Sequence, residues 1–187
     1  VVERYGRVKL TNPDKVLYPA TGTSKAEVFE YYLAVADAMV PHIAGRAVTR
    51  KRWPNGVDEA SFFEKQLASS APDWLDRCAI EHKSATTVYP VIDTREGLAW
   101  IAQQASLEVH VPQWRFVDGK PGPATRIVFD LDPGEGVDMA LICTVAREVR
   151  DLMADIGLTT YPLTSGSKGV HLYVPLADPV SSHGASV

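Results

Sequence analysis

The stretch "TRIVFDLDPGEG", residues Thr125 to Gly136, ends an apolar run with two carboxylates two residues apart. Side chains alternate across a β-strand, so Ile127, Phe129 and Leu131 fall on one face and Val128, Asp130 and Asp132 on the other. The two acids then stand side by side, with Cα atoms roughly 6.5–7 Å apart. Like charges at that spacing repel unless a cation or a cationic side chain lies between them. A hard cation such as Mg²⁺ or Mn²⁺ takes oxygen ligands of this kind. An arbitrary D-x-D is usually a solvated strand end. Here the apolar strand before it and the Pro-Gly turn after it favour a metal-binding pair.

Three further groups could handle phosphates or bases. In "TSGSKGVHLYV", Ser165, Gly166, Ser167, Lys168 and Gly169 form a small polar turn. Its glycines let backbone N–H groups approach an anion, and Lys168 adds positive charge. The G-x-x-x-x-G-K-[ST] spacing of a P-loop is absent. On the strand that follows, His171 and Tyr173 share one face. In "LEVHVPQW", Glu108 and His110 alternate with Leu107, Val109 and Val111. In "TRKRWP", Arg50, Lys51 and Arg52 precede a strand bearing Phe62 and Phe63, a mixture of cations and aromatics suited to phosphate contact and base stacking. The neighbouring phenylalanines must point to opposite faces, which leaves one of them for exposure. Taken singly, each group also has an ordinary reading as a hairpin, a solvated histidine or a charged edge strand.

These side chains need a scaffold. Ser24 and Glu27 form a capping box that opens an amphipathic helix over "KAEVFEYYLAVADAMV", ending at Pro41. "TREGLAWIAQQA" and "DMALICTVAREVRDLMADIG" read as further helices, the second closed by Gly157 at C′. "GRVKLTN", "AVTRKRW", "SFFEKQL", "TTVYPVI", "LEVHV", "RIVFDLD", "TTYPL" and "GVHLYVPL" read as strands, with "TNPDKVLYPATG" and "DGKPGP" as loops. Strands separated by helices imply an α/β or α+β sheet domain. "SSHGASV" resembles a helix start with nothing after it, so a truncated chain is expected.

The 187 residues suit one large domain or one domain with two lobes. No run approaches a membrane span, and the first residues carry no signal-peptide pattern. The net charge of −4 argues against a nonspecific nucleic-acid binder. Its distribution is uneven: residues 1–70 carry +2 and residues 71–187 carry −6, which suits a basic surface and an acidic, metal-binding half. Cys78 and Cys143 fit no metal spacing and are expected as reduced core thiols in a cytosolic setting.

Together and in this order, "LTNPDKVLYP", "RKRWPNGV", "FFEKQ", "GLAWIAQQASLEVHVPQW", "FDLDPGEG" and "TSGSKGVHLYVPL" resemble the primase-polymerase domain of bacterial ATP-dependent DNA ligase D, in particular its mycobacterial type, within the archaeo-eukaryotic primase superfamily. The resemblance implies an α+β, primase-like, two-lobed domain whose mixed or antiparallel RRM-like catalytic sheet is flanked by helices. A DNA-end-binding lobe would cover about 1–105 and a catalytic lobe about 106–187. It also implies a template-dependent nucleotidyltransferase that adds NTPs or dNTPs at DNA ends or gaps, with Mn²⁺ or Mg²⁺ in a two-metal site.

Carried over residue by residue, Asp130 and Asp132 match the first metal-binding motif. Ser165, Lys168, His171 and His110 match nucleotide-binding positions. Asn12, Lys15, Lys25, Lys51 and Arg52 match the grip on a DNA 5′-phosphate, and Phe62 and Phe63 match aromatics that stack on the template. The implied setting is the bacterial nucleoid. The implied partners are double-stranded ends, gapped or 3′-overhang DNA with a 5′-phosphate, Ku, and ATP-dependent ligase and nuclease domains, with no membrane. The family's third metal-binding aspartate has no match here and is expected beyond Val187. Two other readings stand beside this one: a DNA-end binding module without turnover, and, ranked lower, a haloacid-dehalogenase-like phosphatase suggested by "FDLDPG".

Overall fold

The structure is a computed structural model that describes residues 3–166 and 168–180. The chain divides into two compact units, Val1–Pro121 and Gly122–Val187. The first unit holds β1 (Arg4–Tyr5), β2 (Val8–Lys9), β3 (Val16–Tyr18), β4 (Thr23–Ser24), α1 (Lys25–Ala34), α2 (Ala36–Ile43), β5 (Thr49–Arg52), β6 (Phe62–Glu64), β7 (Arg77–Glu81), β8 (Thr86–Pro90), α3 (Arg95–Gln103), β9 (Ser106–His110) and β10 (Trp114–Val117). β11 (Lys120–Leu131) leads into the second unit, which continues with α4 (Met139–Asp155), β12 (Tyr161–Thr164) and β13 (Val170–Val180). Helices and antiparallel sheets make this an α+β fold.

The capping box forms as the sequence predicts. Glu27 N–H donates to Ser24 Oγ at 3.3 Å, and Ser24 N–H donates to the Glu27 carboxylate at 2.7 Å. The helix it opens does not run unbroken to Pro41. It breaks at Val35, and α2 carries Pro41 in its interior. A proline removes one hydrogen bond from a helix and crowds the turn before it. The early break leaves Pro41 in a short second helix, where its carbonyl accepts a bond from Arg115 Nη2 at 3.0 Å.

Leu17, Phe29, Ile92, Leu98 and Ile101 are fully buried at the centre of the first unit. Tyr32 ties α1 to β9 by donating to the Ser106 carbonyl at 2.7 Å. Beside this core lies an antiparallel sheet of order β6-β5-β9. Its register places Lys51 between Phe63 and Glu108, and Arg50 between Glu64 and Val109. By strand alternation Arg50, Arg52, Phe62 and Glu64 share one face, while Lys51, Phe63, Glu108 and His110 share the other. Arg50 is buried, with its guanidinium over the Trp100 ring at 5.1 Å.

In the second unit β13 pairs with both β11 and β12. Phe129 faces Leu172 and Leu131 faces Val170 in the register, and these side chains pack with Ile142, Ala146 and Val149 of α4. Asp138 caps α4 by accepting from Leu141 N–H at 2.9 Å. The helix ends where Gly157 takes φ +80°, the left-handed conformation expected at C′.

Several expectations are corrected. β3 lies inside a segment read as loop, β11 begins inside "DGKPGP", and β7 and β10 were not foreseen. These strands are short, carry charged residues or contain proline, so they lack clear apolar alternation. Both cysteines are free, but neither is a core thiol: Cys78 is half-buried and Cys143 is exposed beside the buried stripe of α4. Both Phe62 and Phe63 are exposed, at 45% and 59%, because β6 is an edge strand of its sheet. "SSHGASV" lies outside the described residues. Among the described residues no helix is long and apolar enough to cross a membrane.

Leu172 is 2% exposed in the small core of the second unit. Leu172→Ala is expected to cost about 2–5 kcal/mol. Urea unfolding followed by circular dichroism checks this, and an unchanged midpoint would contradict the packing described.

Candidate nucleotide and DNA-end sites

In the second unit β11 delivers Asp130 and Asp132 to the face opposite α4. Asp130 lies directly across from His171, whose Nε2 approaches Asp130 Oδ1 at 3.2 Å. Val128 faces Tyr173 in the same register, and the Arg126 guanidinium lies over the Tyr173 ring at 5.1 Å. Asp132 stands just past the strand end, against the turn joining β12 to β13. Ser165 closes that turn twice: its N–H donates to the Gly169 carbonyl, and its Oγ accepts from Gly169 N–H, both at 3.0 Å. A Cβ at Gly169 would overlap Asp132 Oδ1 and approach the Leu131 carbonyl at 2.9 Å. The glycine is what lets the turn lie against the acid. Lys168 is exposed on the same turn. Ser167 lies outside the described residues.

The sequence-predicted Asp130, Asp132, Ser165 and His171 are therefore brought together. Among the described residues no group of three or more metal-ligating side chains occurs. Two carboxylates are nevertheless a fitting protein contribution for Mg²⁺ or Mn²⁺, since such ions take one or two carboxylates and fill the remaining positions with water and substrate phosphates.

The first unit holds a polar cavity of about 290 Å³ whose walls include Thr11, Asn12, Lys15, Lys25, Arg52 and Gln103. Four of the five residues predicted to grip a phosphate thus line one space, and no acid lines it. The N–H groups at the start of α1 are already used: Lys25 N–H donates to the Lys15 carbonyl at 2.7 Å and Ala26 N–H to the Pro13 carbonyl at 2.9 Å. An anion in this cavity would therefore meet side chains rather than these two N–H groups. Lys15 Nζ donates to Asn55 Oδ1 at 2.9 Å, and Lys25 Nζ to the Thr11 carbonyl at 2.8 Å. Arg52 is fixed by the Gln104 carbonyl and by Glu64, both at 2.9 Å. Lys25 is only 6% exposed. Burial, with Lys15 and Arg52 nearby, pushes its pKa down from 10.5 to about 8.

Lys51 does not line this cavity. Strand alternation turns it to the other face of β5, where Nζ donates to Glu108 Oε1 at 3.0 Å and lies over the rings of Trp53 and Phe63 at 4.6 and 5.5 Å. His110 Nε2 meets Glu108 Oε2 at 2.8 Å, and its ring contacts the edge of Phe63 at a centroid distance of 5.4 Å. Arg50 binds Glu64 at 3.2 Å within the core, so the "RKR" run is split between three environments. Sequence reasoning missed Thr11, Asn55 and Gln103. Adjacent amides closing a helix, Gln103 and Gln104, were an available signal; nothing local marked the others.

Residues 24–186 match the family model "LigD, primase-polymerase domain". The chain is 77% identical over 186 residues to the multifunctional non-homologous end joining protein LigD of Mycolicibacterium smegmatis, covering 100% of this chain and 24% of that protein. It is 68% identical over 187 residues to the corresponding DNA repair protein LigD of Mycobacterium tuberculosis, covering 97% and 25%. Identity to the bifunctional LigD of Bacillus subtilis is 32% over 171 residues, covering 91% and 27%. Among solved structures, the polymerase domain from Mycobacterium tuberculosis ligase D in complex with DNA superposes with a TM-score of 0.92 at 69% identity, covering 95% of this chain and 64% of that one. The chain spans about a quarter of the length of these curated relatives.

Two outcomes test the geometry. Gly169→Ala is expected to displace Asp132 from the turn, visible as chemical-shift changes at Asp132 and Ser165 with α4 unaffected; an unperturbed spectrum would contradict the close approach. For Lys25, the folded state binds fewer protons than the unfolded state between about pH 8 and pH 10.5, so this group makes stability rise with pH across that window. The Lys25 Cε resonance should titrate near pH 8 and move upward when a 5′-phosphorylated oligonucleotide is added, since an anion favours the charged amine. An unmoved midpoint would remove Lys25 from the phosphate site.

Proposed function

The chain belongs to the LigD primase-polymerase domain family, and from that premise we propose that it is a template-dependent nucleotidyltransferase acting on 5′-phosphorylated DNA ends and gaps during non-homologous end joining. The observation that carries the reading is the pair Asp130 and Asp132, held on one face of an apolar-backed strand beside the Ser165–Gly169 turn. Mg²⁺ or Mn²⁺ bound by these acids would lower the pKa of a primer 3′-OH and neutralise triphosphate charge. His171 orients the Asp130 carboxylate through its 3.2 Å contact. Ser165 shapes the turn, and Lys168 offers an exposed ammonium to the triphosphate and the departing pyrophosphate. His110 is assigned a nucleotide contact.

The cavity formed by Asn12, Lys15, Lys25 and Arg52 is assigned to the DNA 5′-phosphate. Clustered cations in a cavity that no acid lines suit a dianion, and the exposed Phe62 and Phe63 suit stacking on template bases. Ku and ligase and nuclease domains are the partners this reading implies. Family membership displaces the phosphatase reading of "FDLDPG".

Asp130→Ala combined with Asp132→Ala in the full-length protein is expected to abolish primer extension. It should leave intact the preference for gapped DNA bearing a 5′-phosphate over a 5′-hydroxyl, read by fluorescence anisotropy. Retained extension would sink the metal assignment, and absence of a phosphate preference in the unmutated protein would sink the assignment of the cavity.

A further inference from the structure

Glu108 has no role in the proposed chemistry, yet its carboxylate is the centre of a chain of contacts on the outer face of the β6-β5-β9 sheet. One oxygen accepts from Lys51 Nζ at 3.0 Å and the other meets His110 Nε2 at 2.8 Å. Lys51 is in turn fixed over Trp53 and Phe63, and Phe63 contacts the edge of the His110 ring. The Lys51–Glu108 pair is partly exposed, with side chains 26% and 42% accessible. Ion pairs this accessible contribute little to stability, so the arrangement is better explained by orientation than by support of the fold.

The geometry points to Glu108 as a positioning residue: anchored by Lys51, its carboxylate orients the His110 imidazole and supports its charged form for contact with the phosphates of a nucleoside triphosphate. This rests on the reading of His110 as a nucleotide contact. A bond from Nε2–H to Glu108 fixes which ring nitrogen faces the protein and leaves Nδ1 for the ligand. The charged and titratable groups around the pair are Lys51 from β5, the Tyr18 hydroxyl from β3, and Glu108 and His110 themselves on β9; Phe63 from β6 is uncharged. Burial pushes the Glu108 carboxyl up, but hydrogen bonds from Lys51 and His110 outweigh it and hold it below the ordinary carboxylate range. Tyr18 is pushed up by burial and by Tyr31 and Glu108, so it stays neutral beside the carboxylate. Glu108 therefore remains an anion at neutral pH.

Lys51 and His110 compete for one carboxylate, so removing the charge of Glu108 and removing Lys51 have opposite consequences for the imidazolium. Binding of fluorophore-labelled ATP at fixed Mg²⁺ and ionic strength, followed by anisotropy between about pH 5.5 and pH 8.5, reads this directly. Glu108→Gln, which keeps size and hydrogen bonding, is expected to lower the pH midpoint of binding by about 1 unit. Lys51→Met is expected to raise it, and His110→Ala to erase the step. A purely structural role would weaken binding in both variants without moving the midpoints apart. Midpoints that stay put, or that move in the same direction in folded Glu108→Gln and Lys51→Met proteins, overturn the inference. If His110→Ala leaves the profile intact, the nucleotide assignment of His110 itself fails and the inference falls with it, an outcome only that variant reports.

Discussion

A charged side chain is held in a fixed place by a β-strand only when the alternate residues of that strand are anchored elsewhere. Both units obey this constraint. On β11, Phe129 and Leu131 are locked under α4 by Val170 and Leu172, and that anchorage fixes where Asp130 points. On β5, Arg50 is locked against Trp100 and Glu64, and that anchorage sends Lys51 to one side of the sheet and Arg52 to the other. Moving either strand by one residue would exchange its two faces and take every functional group with it.

The same constraint explains what was legible in the sequence. The faces of "IVFDLD" and "VHLYV" follow from alternation alone, and the register confirms that Asp130 and His171 meet across a pair of strands. The capping box at Ser24 and the closing Gly157 were legible because each is a local backbone requirement. Lys51 and Arg52 are adjacent on β5, so alternation turns them to opposite faces, and Arg52 lines the cavity while Lys51 does not. Thr11 and Gln103 meet across 92 positions of sequence through a bond of 2.9 Å, and no local pattern encodes such a contact. Exposure of both phenylalanines depended on β6 lying at a sheet edge, a fact of strand order rather than of strand pattern.

The two candidate sites meet charge in different ways. The second unit places carboxylates at the surface, where solvent screens their repulsion. The first places Lys25 almost out of water with two further cations beside it, and the cost appears as a depressed amine pKa. An anion placed there would offset that cost and would meet side chains rather than the helix N–H groups of Lys25 and Ala26, which are already satisfied.

Glu64 gives this electrostatic arrangement a further property. A single oxygen, Oε2, accepts from Arg52 at 2.9 Å and from the buried Arg50 at 3.2 Å. Burial and the nearby Arg52 charge both weigh against the Arg50 cation, and Glu64 opposes them. A phosphate that drew Arg52 toward itself would leave that oxygen to Arg50 alone and would offset the neighbouring positive charge. Drawing Arg52 away would also remove one of the two ion pairs that join Glu64 of β6 to β5, so that the edge strand carrying Phe62 and Phe63 would keep only the Glu64 pairing to the buried Arg50.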